Sequence, residues 1–129
     1  MIALDASVLI AHLNPADTHH GEATRILLDA SAEDLIVHTV TMAEVLIGGV
    51  RVGQGEQMEA DLLAVGIRLA AHDEQEPLRL AELRASSGLK LPDCCVLDAA
   101  ISNGASLATF DTALANVAKR HDIAVLPQS

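Results

Sequence analysis

The 129-residue sequence predicts an α/β protein in which a mainly parallel sheet is covered by helices on both faces. Three observations carry the prediction. Short aliphatic runs recur along the chain and are apolar throughout, as strands buried on both faces must be. Segments with a 3.6-residue apolar period separate them, and Gly, Pro and Asn fall between the two kinds of segment, where the chain has to stop or turn. Alternation of strands with helices implies parallel pairing, because each helical crossover returns the chain to the same end of the sheet. No repeat, low-complexity tract or linker divides residues 1–129, so one domain is expected.

The first strand is expected at residues 2–4, closed by Asp5, with helical period over 7–13 until Asn14-Pro15 turns the chain and again over 21–29. Residues 35–38 read as the second strand and 41–50 as the next helix, ended by Gly48-Gly49, with the Gly48 to Gly55 stretch as a flexible connection. A helix over 57–65 closes at Gly66, before a strand over 67–70. The helix over 77–86 closes at Gly88, and the Lys90-Leu91-Pro92 turn introduces a helix over 93–102 that stops at Gly104. A strand over 106–109, a helix over 112–121 and a strand over 123–126 complete the chain.

Composition narrows the function. Eighteen acids against eight Lys and Arg leave a formal charge of −10, which makes unaided phosphate binding unfavourable because counterion release needs clustered bases. A cation or a basic partner suits the chain better. There is no Trp or Tyr and one Phe, so stacking platforms for single-stranded bases are expected to be absent. Half the residues are hydrophobic and the mean hydropathy is +0.33, which argues for a folded core and against disorder. Cys94 and Cys95 are adjacent, too close for an ordinary disulfide, and read as reduced thiols. With no basic leader and no apolar run of membrane-spanning length, the expectation is a soluble, cytoplasmic protein.

In open parallel sheets, ligands bind beyond the carboxyl ends of the strands. The polar residues placed there are acids. Asp5 and Asp111 follow the first and fourth strands, while Glu44 and Asp93 fall at expected helix beginnings. Each has a local explanation: Asp5 and Asp111 as N-caps, Thr41-Met42-Ala43-Glu44 as a capping box, and Pro92-Asp93 as the usual Pro and acid of a first turn. However, Glu44 and Asp93 are flanked by aliphatic residues and have few bases near them in sequence. A buried carboxylate must be paired, protonated or metal-bound. Oxygen-only ligands suit Mg²⁺ or Mn²⁺, which keep waters and bind phosphate oxygens, so phosphodiester hydrolysis is the natural chemistry. A cation would also invert the repulsion between these acids and a phosphate.

Four segments carry a resemblance: Leu4-Asp5-Ala6-Ser7, Met42-Ala43-Glu44-Val45, Leu91-Pro92-Asp93-Cys94-Cys95-Val96-Leu97 and Leu107-Ala108-Thr109-Phe110-Asp111. In this order, with acids 39, 49 and 18 residues apart, the chain resembles the PIN-domain ribonucleases over its whole length. More narrowly it is similar to the VapC toxins of bacterial toxin-antitoxin pairs. The resemblance implies a three-layer α/β/α sandwich whose acidic pocket binds Mg²⁺ or Mn²⁺ and cleaves RNA. It assigns Asp5, Glu44, Asp93 and Asp111 as catalytic, metal-binding acids, with Ser7 and Thr109 supporting them. It also implies a homodimer, inhibited by a basic segment of a VapB-like antitoxin.

Other signals weigh less. Asp98 stands where the family has a small apolar residue; turned about 140° from Asp93 on a helix, it reads as a surface acid or an extra contact through water. Arg51 and Lys90 are candidates for RNA or antitoxin contact, and Arg25, Lys119 and Arg120 are further scattered bases. The six histidines lack zinc-site spacing and read as surface or helix-end residues. Competing functions are a non-catalytic receiver-like signalling module, which needs a second acid near Asp5 and a late Lys that this chain lacks, a dehalogenase-like phosphatase, which Ser7 disfavours, and a module that only binds partners.

Overall fold

The computed structural model describes residues 1–30 and 34–128. The elements follow the order β1 (Ile2–Leu4), α1 (Ala6–Leu13), α2 (His20–Asp29), β2 (Leu35–Val37), α3 (Thr39–Arg51), α4 (Gly55–Ala64), β3 (Ile67–Leu69), α5 (Glu76–Ser87), α6 (Leu91–Asn103), β4 (Ser106–Ala108), α7 (Thr112–Arg120) and β5 (Val125–Leu126). Every strand and helix expected from the sequence is present. No helix among the described residues is long and apolar enough to cross a membrane.

All strand pairs are parallel and the sheet order is β3-β2-β1-β4-β5. The flavodoxin-like order of receivers is 2-1-3-4-5, so topology rules out the receiver-like alternative. Side chains alternate across the sheet. Ile2, Leu4, Leu35 and Val37 enter a core with Val8, Leu9, Leu27, Met42 and Leu62 from α1 to α4. Ala3, Ile36 and Leu107 enter a second core with Leu83, Leu97, Leu114 and Val117 from α5 to α7. The result is the three-layer sandwich.

Parallel crossovers are right-handed, so a chain that reverses its direction across the sheet must change faces. The path runs outward from β1 to β3, then crosses back to β4 and on to β5. Connections on opposite faces therefore leave β1 and β4 side by side, which opens a crevice at their carboxyl ends.

Two expectations about α3 are corrected. The helix begins at Thr39, not Thr41, because His38 is its N-cap: the imidazole Nδ1 accepts the Val40 N–H at 3.0 Å. Thr41 is thus inside the helix, fully buried, and its Oγ1 has no hydrogen-bond partner among the described residues. There is no Thr41–Glu44 capping box. Nor do Gly48 and Gly49 end the helix, which continues to Arg51. Gly49 is where α4 packs: a Cβ there would lie 3.0 Å from the Met58 side chain. The connection turns instead at Gly53, where φ is +74°.

Since the Thr41 hydroxyl is buried without a partner, Thr41→Val removes a desolvated polar group at nearly constant shape. It should stabilise the protein by about 1 kcal/mol, read as a higher midpoint in urea unfolding.

Candidate active site

The crevice between β1 and β4 is built on Asp5. This residue ends β1, and its backbone N–H donates to Ala108 O at 2.9 Å, locking it to β4. It holds the N-cap position of α1, yet its carboxylate makes no cap bond. Instead Oδ2 accepts two hydroxyls, from Ser7 and from Thr109, each at 2.7 Å. Those hydroxyls in turn accept backbone N–H groups of the β4–α7 connection: Phe110 N–H reaches Ser7 Oγ and Asp111 N–H reaches Thr109 Oγ1, both at 3.0 Å. Two relays thereby tie the corner after β1 to the corner after β4. Asp5 is buried, and these bonds leave Oδ1 uncommitted.

The other acids arrive from three helices. Asp93 lies in the first turn of α6, behind Pro92, as expected. Asp111 is the N-cap of α7 and its Oδ1 accepts the Leu114 N–H at 2.9 Å, so the local capping explanation holds for one of its oxygens. Glu44 stands in the second turn of α3 and is exposed. The expectation that its carboxylate leaves a buried surface is therefore wrong: Met42 and Val45 turn to the core, while Glu44 faces out on the same side as the exposed Val40, Ala43 and Ile47.

Asp5, Asp111 and Glu44 all lie near enough to Asp93 to act on its charge. Burial pushes the Asp93 carboxyl above its ordinary value, and Asp5, Asp111 and Glu44 push it further, against a smaller opposite effect of Lys90. No three of these acids bring oxygen atoms within 4.8 Å of one another among the described residues. A cation placed among them would therefore be held directly by no more than two of these carboxylates, with waters filling the rest of its shell.

A different group does gather that closely: His38, His72 and Glu76. It is a closed hydrogen-bond chain. Because Val40 N–H occupies His38 Nδ1, the ring proton is on Nε2 and is donated to Glu76 Oε1 at 3.1 Å. His72 Nδ1 donates to Glu76 Oε2 at 2.7 Å, and its Nε2 is hydrogen-bonded to the Thr39 hydroxyl at 3.0 Å. With its lone pair spent on the cap, neutral His38 has no nitrogen left for a metal. The chain instead braces the exit of β2 against α5, and His19, His38 and His121 are all helix-end residues, as expected.

Asp98 also departs from its expected place. It is 2% exposed, neither a surface acid nor a contact through water. Arg79 of α5 binds it with Nε and Nη2 at 2.8 and 3.1 Å, while the same guanidinium holds Asp73 at 2.8 and 3.0 Å. This pairing satisfies the buried charge and clamps α5 to α6. Proximity in sequence could not reveal a partner 19 residues away. Cys94 and Cys95 are free and buried, and burial pushes the Cys95 thiol up to about 11, so they are core residues and not nucleophiles.

Lys90 is the N-cap of α6, beside Asp93. Arg51 lines a groove of about 570 Å³ between α1 and α3, together with Ile10, Leu13, Glu44, Val45 and Met58. Glu44 thus joins this largely apolar groove to the acidic crevice.

The PIN domain family model matches residues 2–120 of the chain. No curated protein matches it in sequence. Among solved structures, VapC20 of Mycobacterium tuberculosis, a sarcin-ricin loop cleaving toxin, superposes with a TM-score of 0.67 at 20% identity, over 91% of this chain and 95% of its own. FitAcB from Neisseria gonorrhoeae gives 0.71 at 23% identity, with 97% and 96% covered. VapBC2 from Rickettsia felis, bound to a promoter DNA fragment, gives 0.72 at 16% identity, with 97% of each chain covered.

A carboxyl whose value is raised by folding binds its proton more tightly in the native state, so its ionisation lowers stability as pH rises past the unfolded carboxyl value. Asp93→Asn should therefore raise Tm at neutral pH in EDTA. The gain should shrink as pH falls through the ordinary carboxylate range, where the wild-type group is protonated too.

Proposed function

The chain belongs to the PIN domain family, and on that premise we propose that it is a Mg²⁺- or Mn²⁺-dependent endoribonuclease, the VapC-type toxin of a toxin-antitoxin pair. The observation that carries the reading is the convergence of Asp5, Glu44, Asp93 and Asp111 on the crevice between β1 and β4, felt at Asp93. Asp5 and Asp93 are the direct ligands in this reading, with Glu44 and Asp111 beside them.

A bound divalent cation would supply a polarised phosphate and an activated water. The chain's own residues prepare for it. Ser7 and Thr109 fix the Asp5 carboxylate through one oxygen, which presents the other toward the crevice in a set direction. Burial first, and then repulsion from Asp5, Asp111 and Glu44, raises Asp93; positive charge entering the site would oppose both, so the site is poised to gain from a cation. Asp111 is held by its cap bond and contributes charge from a fixed position.

A basic VapB-like antitoxin suits both features of the α1–α3 groove. Apolar side chains of Ile10, Leu13 and Met58 can receive a helix, and Glu44 can receive a cationic side chain on its way to the acids. The net charge of −10 favours such a partner over a long range. Self-association as a homodimer and residence in the cytoplasm complete the reading, the latter consistent with two free buried thiols.

Purified protein should cleave single-stranded RNA with Mg²⁺ or Mn²⁺, and EDTA should abolish the activity. Asp93→Asn, which keeps shape and removes charge, should lower kcat on the order of a hundredfold or more. Equal cleavage by a folded Asp93→Asn protein would overturn the proposal.

A further inference from the structure

The single aromatic residue of the sequence, Phe110, lies at the edge of the acidic crevice, between Thr109 and Asp111. Its half-buried ring packs on the first core. The imidazole of His19, the residue before α2, stacks on it with ring centroids 4.2 Å apart and planes 11° from parallel. His19 makes no side-chain cap bond to α2 and is 47% exposed, with Glu22 4.0 Å from its Nδ1. Backed by Phe110, the half-exposed His19 imidazole gives a π surface that reaches solvent and that a count of Phe, Trp and Tyr misses.

A cavity of about 300 Å³ opens beside the stack. Its far wall is one stripe of α7: Thr112, Asn116 and Lys119, spaced four and three residues apart, fall on the same face of the helix. Asp111 belongs both to this cavity and to the carboxylate quartet, so the two sites are continuous. Three complementary chemistries meet here. The ring pair offers a π face, the Asn116 amide carries donors and an acceptor for a base edge, and Lys119 supplies a cation for a phosphate.

We propose that this cavity is a nucleobase subsite, in which one unpaired base of the RNA strand stacks on the His19–Phe110 pair, with Asn116 at its edge and Lys119 at the adjacent phosphate. The inference rests on the ribonuclease reading above and deepens it. It selects single-stranded over duplex RNA, since only an unpaired base can be splayed into a side cavity. It also supplies local stacking, and in Lys119 a cation that offsets part of the negative charge of Glu22 and Asp111 in the same cavity.

The chain lacks Trp and Tyr, so the quenching of a 2-aminopurine base on stacking can be read against almost no protein emission. A tetraribonucleotide carrying one 2-aminopurine, titrated with Ca²⁺ in place of Mg²⁺, should be quenched by the wild-type protein. His19→Ala changes an exposed side chain; it should remove most of the quench and weaken binding about tenfold, with Phe110→Leu doing the same. In cleavage of a randomised RNA pool, His19→Ala should raise KM more than it lowers kcat, and Asn116→Ala should redistribute the cut sites. Absence of quenching by wild-type protein, or wild-type KM and cut sites in folded His19→Ala and Asn116→Ala proteins, would overturn the subsite while leaving the nuclease reading intact. Stack-dependent quenching without RNA cleavage in Mg²⁺ or Mn²⁺ would sustain the subsite as an RNA-binding feature and sink the nuclease.

Discussion

The winding of the sheet reverses between β1 and β4, and most of the functional geometry depends on that reversal. Right-handed crossovers put α1 to α4 on one face and α5 to α7 on the other. Two strands that meet at the reversal send their connections apart, and the crevice between them needs closing at its floor. Ser7 and Thr109 do this by passing backbone N–H groups of one connection to the carboxylate of the other. The same four hydrogen bonds that complete the fold at this point also orient Asp5.

The four acids are held in distinct ways, which is how a domain tolerates their repulsion without a cation. Asp5 is buried but receives two hydroxyls. Asp111 has one oxygen on the positive end of α7. Glu44 remains in solvent, where its charge is screened. Asp93 has none of these compensations in full, and burial, followed by the charges of the other three acids, raises its carboxyl value. Asp98 shows the contrasting solution, a buried acid paired by Arg79.

The sequence shows every element because buried parallel strands and amphipathic helices leave local periodic signatures. It also points to Asp5, Asp93 and Asp111, each of which sits where a strand or turn hands over to a helix, whereas Glu44, in the second turn of α3, has no such local signal. What it misses depends on contacts between distant segments. His38 displaced Thr41 as the cap of α3 because an imidazole can accept a backbone N–H, a role the usual Ser, Thr, Asp and Asn preferences hide. The Arg79 clamp on Asp98 and the His19 ring on Phe110 are both made by side chains that no spacing rule connects. Composition even argued against a stacking surface, because it does not count histidine.

The strand order leaves β3 and β5 at the rims of the sheet. They are three and two residues long, and β3 carries Arg68, paired with Asp34, in its centre. Rims this short, one of them charged, offer almost no ladder to which a stray strand could add. A domain with 13 exposed large hydrophobic side chains among the described residues can therefore stay free of sheet-to-sheet polymerisation. Its associations with other chains are left to its helices, whose faces can be discriminating where an open ladder would accept any backbone.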